Sequence, residues 1–474
     1  MASRISVGNA GSGGGADLAG RLAEARLPSR LAGQLPALAV HRSSRSLIGE
    51  LAALRMALHG EGLDRVVLAG SSRAAEVLTE AEGFALTVLD TADPGQVADA
   101  LAGDLDRTVL VISGASVETD SIRRVFAAAF AANGIDPVSR LIVVAAPGSE
   151  LAALDCRQVF LADSGLDGPF SALSPYGLVP AGLAGADIAA RLDEAAAAFA
   201  VLAADTPDNP ALLLGAALAG AGTAVLADSG FPGFAEWAGQ LLGGTGPLPV
   251  VVESPAAPGF SGPDAIPVVI GPYRGDAAIV TDGPLGGLFL CWQFAVAIAA
   301  DTAFSGNPVT SSRKTIAHSP QSSILDGVIE IHASEGLLPD GVDSTAGALR
   351  ALLAATPERG YVAVRAYLDR LDDASAVLLR AELARRTGVA TTFDWGSRST
   401  GNPDNGVFLQ VTGTPDTDLD VPDQHYTLGA LQLAQAAGDG RSLAESGRPV
   451  LRLHLTDRAA GLVALVHALA EVSR

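Results

Sequence analysis

Lysine is almost absent from this chain. Lys314 is the only one among 474 residues, against 52 aspartates and glutamates, and the net charge is −21. So acidic a surface repels phosphate backbones and anionic lipid, which excludes nucleic acid and membrane as expected partners. An anionic small molecule remains admissible, but only through local backbone N–H groups or a few arginines. Cysteine is nearly as scarce. Cys156 and Cys291 are the only two, both in apolar surroundings. Two such cysteines do not make a disulfide framework, and a reducing cytoplasm is the expected location. Neither a CxxC pair nor a His-x-x-x-His spacing marks a zinc site. No apolar run reads as the roughly twenty residues that cross a bilayer. The opening stretch MASRISVGNAGSGGGADLAG lacks the apolar core of a secretory signal and reads as a flexible leader.

What is present is hydrophobic sequence, 49% of the residues, in short bursts. A chain of this length and composition builds more than one core. Apolar strands of four or five residues alternate with helical segments: Arg65–Ala69, Leu86–Leu89, Val109–Ile112 and Leu141–Ala145 in a first cycle. A second cycle runs through Ala224–Leu226, Leu248–Val252, Ile266–Ile270 and Ala277–Val280. Continuous apolar strands separated by helices indicate parallel sheets covered on both faces. The expected fold is therefore α/β, with two doubly wound parallel-sheet subdomains and a smaller C-terminal α/β region. The expected boundaries are residues 1–40 for the leader, 41–185 and 186–304 for the two subdomains, 305–324 for a polar linker loop, and 325–474 for the C-terminal region.

In doubly wound sheets, ligands bind beyond the carboxyl ends of the strands, where helix N-termini point. Gly70-Ser71-Ser72 and Ser113-Gly114-Ala115-Ser116 both fall at such strand-to-helix turns. Glycine admits a ligand close to the backbone, serine adds donors, and a helix N-terminus favours negative charge. Together these features make a phosphate cradle without lysine. Serine is also the commonest helix cap, and both readings stand for these turns.

Longer motifs add a resemblance. SGASVETDS at Ser113–Ser121 resembles the SKSGSTxET phosphate loop of phosphoglucose isomerases, and LAGSSRAAEVL at Leu68–Leu78 resembles their GxGGSSLAPEVL turn. VLDTADP at Val88–Pro94, GPFSALSPYGLVPAGLAG at Gly168–Gly185 and GFAEWAGQLL at Gly233–Leu242 are similar to VLDSTDP, GGRFSALSAFGLVPAALAG and GFADWAEQLIAEST. NGVFLQVTG and GRPVLRLHLTD look familial as well. The pattern is nearest to the form associated with transaldolase in bacteria and runs from about residue 40 onward. The resemblance implies two sugar isomerase (SIS) subdomains, glucose 6-phosphate and fructose 6-phosphate as ligands, and neither a metal nor an organic cofactor. Carried over residue by residue, Ser71, Ser113, Gly114 and Ser116 become the phosphate-binding candidates and Glu118 the acidic residue of the phosphate loop. A homodimer or a protein partner is compatible with such a family.

The departures fall where that family does its proton transfer. Glycine stands at Gly243–Gly244 in place of the base glutamate, and Pro169 in place of the signature arginine. Ile112 replaces the lysine before the phosphate-loop serine. The histidine- and lysine-bearing loop has shrunk to residues 396–406, leaving Arg398 as its cation. Glu118 and Arg398 are the remaining catalytic candidates. Arg73 reads as a surface helix residue, and Glu236 and Glu253 as a solvated helix face and a strand end. Of the histidines, only His318 and His425 fall in loops that could face a cleft. Losing a positioned base removes about 10²–10⁴ in rate. The expectation is a sugar-phosphate binder of this family with the parental isomerase activity in doubt. The other readings are a catalytically silent sensor, regulator or subunit, and a divergent isomerase or lyase acting on another phosphosugar.

Overall fold

The computed structural model describes residues 5–8, 14–163, 166, 168–243, 246–260, 264–275, 278–303, 324–396 and 405–472. The chain divides into two compact units. The first comprises Met1–Asp90, Ala100–Pro255 and Ser261–Pro308, and the second Thr91–Asp99, Ala256–Phe260 and Val309–Arg474.

The first unit holds two parallel sheets. The segment expected as a leader is structured where it is described. Strand β1 (Ser6–Gly8) adds antiparallel to an edge, and helices Gly14–Glu24 and Leu27–Gln34 follow. Ala19, Ala23, Leu27 and Leu31 recur at helical spacing and are buried, an apolar stripe that the glycine-rich start of the sequence obscures. The first sheet contains β2 (Arg65–Ala69), β3 (Thr87–Leu89), β4 (Thr108–Ser113), β5 (Leu141–Ala145) and β6 (Gln158–Leu161), in the order 3-2-4-5-6 and parallel throughout. The second contains β7 (Thr223–Asp228), β8 (Leu248–Val251), β9 (Ala265–Ile270) and β10 (Ile279–Asp282), in the order 1-10-9-7-8. Strand order reverses between β2 and β4 in the first sheet and between β7 and β9 in the second. These are the topological switch points, where helices leave in opposite directions and open a crevice.

One core serves the whole unit. Its centre is aromatic: Trp237 packs edge-on against Phe289 at 4.6 Å and against Phe234 at 5.0 Å between ring centroids. Helix Leu285–Ala303 runs through this core. Its window Leu285–Thr302, with mean hydropathy 1.4, is long and apolar enough to cross a membrane, but 83% of it is buried inside the protein. The expectation that no segment reaches that length is corrected here. Asp301 lies near the end of the helix and Gln293 in its middle, and these polar residues interrupt the apolar run in the sequence.

The second unit is a six-stranded mixed sheet with its own core. Strands β11 (Ile324–Asp326) and β12 (Ile329–Ala333) pair antiparallel, β12 pairs antiparallel with β16 (Val450–Leu455), and β15 (Gly406–Gly413), β13 (Tyr361–Tyr367) and β14 (Ala390–Trp395) continue from β16 in parallel. Val362, Val364, Leu409, Val411, Leu451 and Leu453 alternate onto one face and build the core with helices Thr345–Ala354 and Arg458–Ala470. The other face carries Arg365, Tyr367, Gln410, Thr412, Arg452 and His454. The linker expected at residues 305–324 lies outside the described residues except for Ile324, which opens β11.

Candidate functional site

The two serine turns stand side by side at the first switch point. Gly70 follows β2 with φ +132° and donates its N–H to the Leu89 carbonyl at 3.0 Å. A Cβ on Gly70 would lie 2.0 Å from the carbonyl oxygen of Ser113, the last residue of β4. Only glycine lets the turns approach so closely, and its positive φ is costly for other residues. Gly114 also takes a positive φ, +86°, with open space where a side chain would go.

Two of the serines are helix caps. Ser72 caps helix Arg73–Glu80, its hydroxyl accepting from the Ala75 N–H at 3.3 Å. Ser116 caps helix Val117–Ala132, accepting from the Thr119 N–H at 3.1 Å and sharing a hydrogen bond with the Thr119 hydroxyl at 2.9 Å. Ser71 and Gly114 are exposed, and Ser113 is buried at the strand end. Glu118 is buried in the first turn of its helix. Asp120, in the same turn, pairs with Arg123 and Arg124. Burial alone would raise the Asp120 carboxyl, but hydrogen bonds from Arg124 and Arg123 outweigh it and hold the group below its ordinary value.

Arg73 is not the surface residue the sequence suggests. It is buried and its guanidinium bridges Glu76 at 2.7 Å and Glu236 at 3.0 Å. Helix periodicity places Arg73 and Glu76 on one face, but the partnership with Glu236, on helix Phe234–Leu242, is tertiary. This bridge joins the helix leaving the first switch point to the helix beyond β7. Asp228, the last residue of β7, accepts from the Ala235 N–H at 2.7 Å. Burial pushes its carboxyl up to about 7 against the pull of that N–H, and the negative charges of Glu236 and Glu80 add to the rise. A half-buried carboxyl titrating near neutrality can exchange a proton. Sequence reading missed Asp228 because Val-Leu-Ala-Asp resembles any strand end, and only its desolvation distinguishes it.

The segments that depart from the family are also ordered by packing. Trp237 Nε1 donates to the Pro169 carbonyl at 3.0 Å, and Gln293 Nε2 to the Phe170 carbonyl at 2.7 Å. Helix Phe234–Leu242 ends at Gly243, whose N–H closes on the Gly239 carbonyl at 3.1 Å. Gly244, Asp167, His318 and Arg398 lie outside the described residues. Glu253 and His425 are exposed. Among the described residues no cluster of three or more His, Cys, Asp or Glu side chains could hold a metal ion.

Fold and site together define a doubly wound α/β protein whose first unit carries two switch points and a serine-glycine turn pair at one of them. No family model matches the chain. Among curated proteins it is similar to a "Probable glucose-6-phosphate isomerase" of Haloarcula marismortui, 33% identical over 198 residues, covering 38% of this chain and 45% of that protein. A protein of the same name from Haloquadratum walsbyi is 33% identical over 194 residues, covering 37% and 45%. The matched stretch spans less than half the length of either relative. These matches support a relationship to the glucose-6-phosphate isomerase family. Among solved structures, a glucose-6-phosphate isomerase from Chlamydia trachomatis superposes with TM-score 0.48 at 18% identity, covering 56% of this chain and 70% of that one. A hypothetical protein from Thermus thermophilus gives TM-score 0.43 at 16% identity, with 98% and 92% covered.

Proposed function

We propose that the first unit binds a phosphosugar of the glucose 6-phosphate and fructose 6-phosphate class, with the phosphate held in the turns Ser71–Ser72 and Ser113–Ser116. The observation that carries this reading is the contact of Gly70 with the Ser113 carbonyl, which sets two helix N-termini and their serines together at a switch point. Ser116 keeps its capping bond while its backbone N–H and those beside it face an anion, so capping and binding are compatible. The names of the curated relatives point to the same ligand class. The free thiols Cys156 and Cys291 fit a cytoplasmic location.

Parental isomerisation is weakened in this reading. The helix that should lead to the base ends at Gly243, and Arg73 is already neutralised by two glutamates. A coupled assay on fructose 6-phosphate tests it. The expected rate lies at least about 10²-fold below ordinary turnover of about 1–10³ s⁻¹, and a rate inside that range would contradict the reading. A second reading, residual aldose–ketose or lyase chemistry on another phosphosugar, is favoured by Asp228 alone, a carboxyl poised near 7 at the second switch point. Its signature would be a slow activity that disappears in Asp228→Asn.

A further inference from the structure

The polar face of the second unit's sheet lies under helix Leu428–Glu445 and encloses a cavity of about 110 Å3. His332 on β12, Arg452 on β16 and Gln410 on β15 stand in register across three adjacent strands and line it. Gln410 is 1% exposed. Its amide nitrogen donates to the Ala436 carbonyl at 2.9 Å, which fixes the amide orientation, and its Oε1 has no partner among the described residues. Leaving a buried acceptor unpaired is costly, and an internal helical glycine adds a further cost. Gly440 stands where a Cβ would lie 2.7 Å from that same oxygen, so it keeps the space open.

The charges around the cavity are unbalanced. Arg452 has no ion-pair partner among the described residues. Burial lowers its guanidinium below the ordinary value, and Tyr367 and Glu330 oppose this only through their field. Burial, then the charge of Arg452, lowers His332 against the opposing charge of Glu330, whose carboxylate lies 3.6 Å from its Nε2, and its Nδ1 is buried without a partner. The lining also holds Arg441 and Glu445, which are opposite in sign. Arg452 is thus an unpaired cation in a lining that also holds the orphaned acceptor Gln410 Oε1. A phosphate monoester dianion, which has no O–H, would neutralise Arg452 but leave Gln410 Oε1 unpaired. A carboxylate carrying its own donor satisfies both.

We propose that this cavity binds a small carboxylate of the 2-hydroxy acid class, with the carboxylate on Arg452 and the hydroxyl donating to Gln410 Oε1. It is independent of the phosphosugar site, because every lining residue belongs to the second unit. Calorimetric titration of the full chain at pH 8 with L-lactate, propionate and methyl phosphate tests it. Lactate saturates one site, while propionate, which lacks the hydroxyl, binds at least tenfold more weakly. Arg452→Gln and Gly440→Ala lose lactate binding at least tenfold, Arg452→Lys retains part of it, and Ser113→Asp leaves it unchanged. Thermal melts check that the variants fold. Absence of saturable lactate binding, equal affinity for propionate, preference for methyl phosphate, or full binding by a folded Arg452→Gln chain would each overturn the proposal.

Discussion

Two arginines invert what their positions suggest. Arg73 follows the serine turn at a switch point, where a cation for phosphate would be expected, yet Glu76 and Glu236 consume its charge. Arg452 lies in mid-strand, inside the GRPVLRLHLTD segment, and has no carboxylate partner among the described residues. Arg458 is a third case. It is bound at 2.9 Å to Asp93, which is fully buried, and at 3.2 Å to Asp373. Asp93 also accepts from the Gly95 N–H at 2.9 Å and from Gln432 at 3.2 Å. Position in a motif therefore does not settle what an arginine does. Its partners do, and some of them, such as Glu236 for Arg73 and Asp93 for Arg458, come from elements distant in sequence.

Breaking the closed pair should have the largest effect. Asp93→Ala leaves Arg458 buried against an incomplete set of acids and should cost about 3–5 kcal/mol, read as a drop in chemical-denaturation midpoint. Gly70→Ala forces a Cβ onto the Ser113 carbonyl. Backbone strain alone should cost about 1–3 kcal/mol, with the overlap added, and phosphate binding should fall with it. Asp228→Asn sharpens the first unit's side of the comparison. With the folded carboxyl raised to about 7 from 3.8, its contribution to stability is full below the lower value and is lost as pH rises through the upper one. The melting temperature of the wild type should therefore fall relative to Asp228→Asn between those limits, with the gap constant above them. A gap independent of pH would contradict the assignment. Smallest is Glu236→Gln, which removes a partly exposed partner of Arg73. It should cost no more than about 1 kcal/mol while tightening sugar-phosphate binding by partly freeing the guanidinium. Unchanged or weaker binding would show that Arg73 does not face the ligand.

Much of the fold was legible because its strands are short apolar bursts. Arg65–Ala69, Leu141–Ala145 and helix Phe234–Leu242 fall where their periodicity places them. The elements that escaped reading break the hydrophobic pattern. Helix Leu428–Glu445 buries Gln432 and Gln435 and carries glycines at 438 and 440, so its inner face looks like loop. Gln432 serves Asp93 and Gly440 the cavity, so polarity and glycine stand where apolar residues would mark a helix. Strand β14 reads ATTFDW, and threonine and aspartate hide it in the same way. Helix Pro175–Ala184 carries Pro180 inside and is buried almost all round, which leaves no amphipathic stripe to find. At the candidate site, glycine and serine at a strand end were visible, and their adjacency follows from sheet order. Glu76 lies one turn from Arg73 and is visible in the sequence, but the second partner Glu236 and the desolvation of Asp228 depend on residues far apart in the chain, which no local pattern records.

The serine turns are the centre of the account, and Ser113→Asp reaches them most directly. Wild type and variant are melted with and without glucose 6-phosphate and fructose 6-phosphate at saturating concentration. Binding at about a hundredfold excess over Kd adds about 2.7 kcal/mol, which should raise the wild-type melting temperature by several degrees. The account predicts that the Ser113→Asp chain folds but shows no shift, because a carboxylate beside Gly70 repels the phosphate. A wild type that fails to shift with either sugar phosphate, or a variant that shifts as much as the wild type, would contradict it.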